Sequence, residues 1–272
     1  MSGQADGQTD VVVVTGAGGM GTAVARRLGS GRELILADAS PDALDRAVTA
    51  LRAEGYAATG QVTDVAKLAQ FAAGQGRLTA VVHTAGVSAA TASARKIIDV
   101  DLLGTVHVID AFTTVATRGT SLVCISSMAG HYASLGRDDE IALATAPVDS
   151  LAALAVVTAV GDDPLAAYIL AKRANHVRVQ AAALEWNRRG ARINTVSPGV
   201  IATAMSKAEA ESPTGAHMMR MLDDCGAGRT GTPGEIAEAV AFLTGAGSLY
   251  ITGTDLLVDG GQAAWIRWHR PR

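Results

Sequence analysis

Four consecutive valines at positions 11–14 run directly into Thr15-Gly16-Ala17-Gly18-Gly19-Met20-Gly21, and this junction narrows the possible folds more than any other part of the chain. An uninterrupted β-branched run marks a strand buried on both faces, as in the middle of a parallel sheet. The glycines that follow, Gly16, Gly18 and Gly21, have Gly-x-Gly-x-x-Gly spacing, and a helical pattern over residues 22–28 comes next. Glycine at these places permits a tight turn and lets the backbone approach a pyrophosphate closely, with the helix N-terminus stabilising the anion. Gly19 and Met20 belong to the same turn. The next apolar run, residues 33–37, ends on Asp38, 22 residues beyond Gly16. A carboxylate there accepts hydrogen bonds from both adenosine ribose hydroxyls and repels a 2′-phosphate, so the pair predicts a site selective for NAD over NADP.

The alternation of strand and helix continues along the chain. Strands are expected at residues 57–62, 78–83, 121–126, 191–196 and 255–258, with helices at 41–53, 65–73, 94–116, 164–189 and 234–243. Strict alternation predicts an α/β fold: a single-domain, Rossmann-like, doubly wound parallel sheet of about seven strands with helices on both faces. Residues 1–10 read as a disordered tail and 11–272 as the domain. Residues 131–163 break the rhythm with an acidic cluster and an Ala/Val/Leu-rich run. They read as a helical insertion of two short helices, either a surface or subunit-contact feature or a lid over the substrate. A hydrophobic share of 49% over 272 residues supplies a large core. The net charge of −3 gives no footprint for nucleic acid or an anionic membrane. Two cysteines make no disulfide framework, and the six histidines show no metal-ligand spacing, so no metal is expected. With neither a leader pattern nor a membrane-length apolar run, the expected location is the cytoplasm.

The chemistry is carried by Tyr168-Ile169-Leu170-Ala171-Lys172, which follows a serine-tipped strand ending at Ser127. A spacing of four places phenol and ammonium on one helical face, one turn apart. An ammonium held there is expected to lower the phenol toward neutrality and make it a usable proton donor and acceptor. With four Tyr and four Lys in the chain, such a pair is expected by chance only about 0.06 times, so the motif is informative.

Together these motifs resemble the short-chain dehydrogenase/reductase family over nearly the whole chain. Residues 15–21 resemble its glycine loop, Asp64 and Val65 its adenine-contacting pair, and His83-Thr84-Ala85-Gly86 its Asn-Asn-Ala-Gly turn. Ile125-Ser126-Ser127-Met128-Ala129-Gly130 resembles the strand end that carries the catalytic serine, here Ser127. Pro198-Gly199-Val200-Ile201-Ala202-Thr203 is similar to the segment over the nicotinamide, and Val258-Asp259-Gly260-Gly261 to the C-terminal signature. The resemblance implies NAD-dependent interconversion of a secondary alcohol and a ketone. Tyr168 would be the general acid and base, Lys172 would lower its pKa and bond the nicotinamide ribose, and Ser127 would bond the substrate oxygen.

Three departures from the family pattern stand out. The glycine loop is one residue short, His83 and Thr84 replace the Asn pair, and Asp101 stands where the family has a catalytic asparagine. The asparagine acts through its backbone carbonyl and a water, so Asp101 is expected to keep that geometry while altering the charge around Lys172. The spacing of 41 positions from Ser127 to Tyr168 is similar to the layout of bacterial hydroxysteroid dehydrogenase/carbonyl reductases. That likeness implies a steroid or other bulky carbonyl substrate and a homodimer or homotetramer. The competing readings are a non-catalytic NAD-binding regulator and, more remotely, a nucleotide-sugar epimerase or dehydratase.

Overall fold

The computed structural model describes residues 8–62, 64–211 and 215–269, with the side chains of His217 and Met218 left out. Seven parallel strands lie in the order β3-β2-β1-β4-β5-β6-β7. They are β1 (Asp10–Thr15), β2 (Glu33–Asp38), β3 (Ala58–Val62), β4 (Arg77–His83), β5 (Ser121–Ile125), β6 (Arg192–Pro198) and β7 (Asp255–Val258). The valine run is an interior strand, β1, paired with β2 on one side and β4 on the other. Its alternate side chains enter two different cores. Val12 and Val14 pack with α1 (Gly19–Gly29), α2 (Pro41–Ala53) and a later helix, Pro233–Thr244. Val11 and Val13 face α3 (Val65–Gln75) and the helices Gly104–Val115 and Pro164–Arg188, where Phe112 and Trp186 are fully buried. A strand buried on both faces has no polar side to show, which is why the sequence reads as unbroken valine.

The carboxyl end of the sheet is where loops and helix N-termini converge, and it carries all the candidate site residues. The order of strands reverses at β1, between β2 and β4, and the glycine loop lies at that switch point.

Three stretches differ from expectation. The single helix expected over 94–116 is α4 (Ala94–Ile97), a π-helical segment Ile98–Leu103, and α5 (Gly104–Val115). Ile98, Asp101 and Leu102 are buried along this segment, at i, i+3 and i+4. The insertion forms three short helices, α6 (Arg137–Thr145), α7 (Val148–Leu151) and α8 (Ala155–Thr158), after a 3₁₀ turn at Met128–Tyr132. Leu143, Leu151 and Val157 pack on Ala167, Leu170 and Ala174 of α9 (Pro164–Arg188), and Glu140 accepts from Arg173 Nε at 2.8 Å. The insertion therefore covers the outer face of α9. Thirdly, the expected tail at 1–10 is shorter. Asp10 begins β1 and accepts from Arg77 Nε at 2.8 Å, while Thr9 O accepts from Arg77 N at 2.9 Å. Residues 1–7 lie outside the described residues.

Beyond β6 come α10 (Ala204–Ala210), α11 (Gly215–Asp224), α12 (Pro233–Thr244) and, after β7, α13 (Gln262–Trp268). Among the described residues, no helix is long and apolar enough to cross a membrane.

Candidate active site

Helix α1 starts at Gly19 from an N-cap glycine, Gly18, with no side-chain cap, so the N–H groups of its first turn have no side-chain acceptor. Gly16 has φ +95, a conformation that favours glycine. A Cβ on Gly21 would come within 1.8 Å of Gly16 O, whereas one on Gly18 would meet nothing within 4 Å. The shortened loop is thus closed on its inner side and open outward, the shape that admits a pyrophosphate against backbone amides. These residues fit a dinucleotide. Gly21→Ala is expected to destabilise the fold by about 2 kcal/mol and to weaken dinucleotide binding more than tenfold, read by urea unfolding and cofactor titration.

Asp38, ending β2, braces this loop. Its Oδ2 accepts from Ala17 N at 2.7 Å and its Oδ1 from Ser40 N at 2.8 Å. Asp64 instead caps α3, accepting from Lys67 N at 3.2 Å, and these first-turn contacts hold its carboxyl below the usual range. Val65 opens that helix. Neither residue is joined by a recorded bond to the rest of the site.

His83 and Thr84 supply bonds of their own in place of the Asn pair. Thr84 Oγ1 donates to Thr15 O at 2.9 Å, tying the end of β4 to the glycine loop. The buried His83 ring lies 2.7 Å from Thr15 Oγ1 through Nδ1 and 3.2 Å from Thr105 Oγ1 through Nε2. Thr105 in turn donates to Asp101 O at 2.8 Å. Burial, with Lys172 nearby, lowers His83 to about 3, so the ring is neutral. It therefore accepts from Thr15 and donates to Thr105, a chain that joins the glycine loop to the backbone at Asp101. Ala85 packs under Gly16, whose Cβ would lie 2.7 Å from Ala85 N. Gly86 must lack a side chain, since its Cβ would lie 2.6 Å from Asp101 Oδ1.

Tyr168 and Lys172 do share one face of α9, with the ammonium 5.3 Å from the phenol ring centroid. Ser127 caps the 3₁₀ turn through Ala129 N at 3.1 Å and hydrogen-bonds the Tyr168 phenol. Lys172 is buried and donates to Asp101 Oδ1 at 3.3 Å. Asp101, wholly buried, also accepts from Val87 N at 3.1 Å. The expectation that Asp101 acts through its backbone alone is therefore incomplete, because its carboxylate contacts the lysine directly. Burial works to lower the Lys172 ammonium, but Asp101 and Tyr168 together outweigh it and the pKa is raised. Asp101 itself is raised by burial, which exceeds the pull of Lys172.

The charge pairing corrects the expectation of a near-neutral phenol. Burial raises the Tyr168 pKa above its ordinary value and outweighs Lys172 and the Ser127 hydrogen bond, which lower it; Asp101 and Glu209 raise it further. In this state Tyr168 is a proton donor.

Met20, Ser127, Tyr168, Pro198, Gly199, Ile201 and Thr203 line one cleft of about 1150 Å³, with Asp101 and Lys172 buried away from its surface. Gly199 is a close-approach glycine, its Cβ position 2.7 Å from Gln262 Oε1. The cleft walls also include residues that sequence reading did not place there. His131 and Tyr132 follow Ser127 on the 3₁₀ turn, and Ile266, Arg267 and Trp268 come from α13. Met221 is buried and lines the cleft, whereas Met219 is half exposed. None of the insertion's three helices contributes a lining residue; of residues 131–163, His131 and Tyr132 reach the cleft. The structure also gathers His131, His176 and Asp255, whose distances in sequence conceal the grouping.

Residues 10–137 match the family model described as short chain dehydrogenase, and residues 149–263 match the one described as Enoyl-(Acyl carrier protein) reductase. The chain is 36% identical to Short-chain dehydrogenase/reductase bsc3 of Alternaria brassicicola, over 94% of this chain and 96% of that one. It is 27% identical to the 3-alpha-hydroxysteroid dehydrogenase/carbonyl reductase of Comamonas testosteroni, over 80% and 91%. The solved short-chain type dehydrogenase/reductase of Mycobacterium ulcerans superposes with a TM-score of 0.73 at 26% identity, covering 94% of this chain and 90% of that one.

Proposed function

The chain belongs to the short-chain dehydrogenase/reductase family, oxidoreductases of alcohols and ketones that use a nicotinamide dinucleotide, and from that premise we propose that it is NAD(H)-dependent, with Tyr168 as general acid and base on a secondary alcohol or ketone. The observation that carries this reading is the Ser127–Tyr168–Lys172–Asp101 cluster at the floor of the cleft. When bound, the dinucleotide supplies the carbon that accepts or gives a hydride and, in its oxidised form, a positive charge. Lys172 is held charged by Asp101, in a position to bond the nicotinamide ribose. Ser127 holds the phenol and is positioned for the oxygen on which negative charge develops. Tyr168 gives its proton to that oxygen in reduction and takes it back in oxidation. A non-catalytic sensor would have no use for a phenol hydrogen-bonded to a serine in a substrate-sized cleft.

Substrate size is read from the walls. Met128, Met221, Leu257, Ile266 and Trp268 favour a bulky apolar body, a steroid or another large carbonyl compound. Steady-state turnover of a panel of steroids, cyclic ketones and hydroxyacyl compounds tests the function, and a panel with no turnover by either cofactor would refute it. The choice of NAD rests on Asp38. NADH is expected to bind at least about tenfold tighter than NADPH, and Asp38→Asn, which removes the charge facing a 2′-phosphate, to narrow that ratio severalfold. Fluorescence titration of both cofactors decides, and tighter NADPH binding would overturn the assignment. Assembly as a homodimer or homotetramer belongs to the same proposal, supported by the exposed Phe242, Leu249 and Tyr250 beside the sheet edge.

A further inference from the structure

Four residues beyond Ser127, His131 Nε2 donates to Asp255 Oδ2 at 2.8 Å. The other oxygen, Asp255 Oδ1, accepts from Thr195 Oγ1 at 2.6 Å and Ser197 Oγ at 2.8 Å. Ser197, having donated to Asp255, accepts from His176 Nε2 at 2.8 Å. His176 is buried, which lowers it to about 4 despite Asp255 and keeps it neutral. The carboxylate is thus fixed through Oδ1 by two hydroxyls, and Oδ2 accepts from His131. These bonds also decide between a polar relay and a cation site. Asp255 Oδ1 is already bonded by two hydroxyl groups, and His176 Nε2 carries a proton, so two of the three ligand atoms are engaged.

This arrangement sets the chemistry of the free imidazole nitrogen. With Nε2–H held by Asp255, the neutral His131 ring has its lone pair on Nδ1, for which no partner exists among the described residues. His131 lines the cleft and its side chain is about one third exposed. Tyr132, next to it in the same wall, has a buried Oη with no hydrogen-bond partner. Most of the surrounding wall is apolar. A hydrogen-bond acceptor held rigidly in an apolar wall discriminates strongly, because a substrate that cannot bond to it leaves it desolvated and unpaired.

We infer that His131, buttressed by Asp255, is a specificity-determining residue that reads a second hydroxyl on the substrate, so that the preferred substrates are apolar ring alcohols bearing another hydroxyl group, or the corresponding hydroxyketones. The inference rests on the alcohol/ketone reading of the same cleft. His131 touches the substrate, and Asp255 is a positioning residue that selects its tautomer.

The test is calorimetric binding to protein saturated with reduced cofactor, at about pH 8.5, where an ordinary imidazole is neutral. The probes are cyclohexanol, the isomeric cyclohexanediols and their monomethyl ethers. At least one diol is expected to bind about fivefold or more tighter than cyclohexanol, and His131→Leu to erase that preference. Asp255→Asn gives the sharper readout. Its amide oxygen still accepts from Thr195 and Ser197, but its NH₂ donates to His131 Nε2 and forces the proton onto Nδ1. The methyl ether, rejected by the wild type, should then bind about as tightly as the diol, a gain that a merely structural role of Asp255 would not produce. Equal or undetectable binding of diol and cyclohexanol by the wild type, a diol preference that survives His131→Leu, or a methyl ether that stays rejected by a folded Asp255→Asn variant overturns the inference. If Asp255→Asn does not fold, His131→Leu, at a partly exposed position, decides alone. A diol preference in binding with no dinucleotide reduction by the same alcohols would sink the oxidoreductase reading and leave this one standing.

Discussion

Tyr168→Phe is expected to reduce turnover by about 10³-fold or more while changing the affinity for NADH less than about threefold. The substitution removes one oxygen and keeps the ring, so the contact with the Lys172 ammonium at 5.3 Å from the centroid survives. What is lost is the proton that the reacting oxygen must receive and the hydrogen bond with Ser127. Lys172 stays charged through Asp101, so the residue expected to hold the nicotinamide ribose is undisturbed. A fall in kcat with little change in cofactor affinity is the signature of a group that acts on the reacting atoms. Retained turnover in the purified variant would remove Tyr168 from the proposed chemistry. A parallel collapse of NADH binding would show that the phenol shapes the cofactor site instead.

What could be read in the sequence divides along a physical line. Strand positions were legible because burial on both faces writes itself as unbroken aliphatic runs: the run expected at 33–37 is β2 at Glu33–Asp38, and that at 121–126 is β5 at Ser121–Ile125. The shared face of Tyr168 and Lys172 follows from helical spacing alone. The π segment was not legible, since its hydrophobic pattern over six residues matches an α-helix within the tolerance of any periodicity argument. Nor was the role of Trp268 and Ile266, whose approach to the cleft depends on where α13 folds back after β7. The partnership of His131 and Asp255 spans 124 positions and carries no local signal. The protonation of Tyr168 was misjudged for a related reason. Spacing shows the neighbouring ammonium, but neither the burial of the phenol nor the carboxylate on the far side of the lysine, and these two decide the direction of the shift.

That carboxylate leads to the second large effect. In the wild type, alcohol oxidation needs Tyr168 deprotonated, and burial together with Asp101 opposes this, so oxidation should rise toward alkaline pH. Asp101→Asn keeps an acceptor for Val87 N and for the Lys172 ammonium but removes the negative charge. Lys172 then acts on the phenol uncompensated, the phenolate is favoured, and the pKa of Tyr168 falls. The rising limb of the kcat/KM profile for alcohol oxidation should move to lower pH by about one unit, an amount set by a single charge at protein-interior screening. Ketone reduction, which needs the proton on Tyr168, should lose activity at the alkaline end over the same interval. Asp101→Leu separates charge from hydrogen bonding: it leaves Val87 N and a fully buried ammonium without partners, and should cost about 3–5 kcal/mol in urea unfolding where Asn costs little. A limb that stays in place in the Asn variant, or moves upward, would mean that the Asp101 charge does not reach the phenol and that its part is confined to holding Lys172.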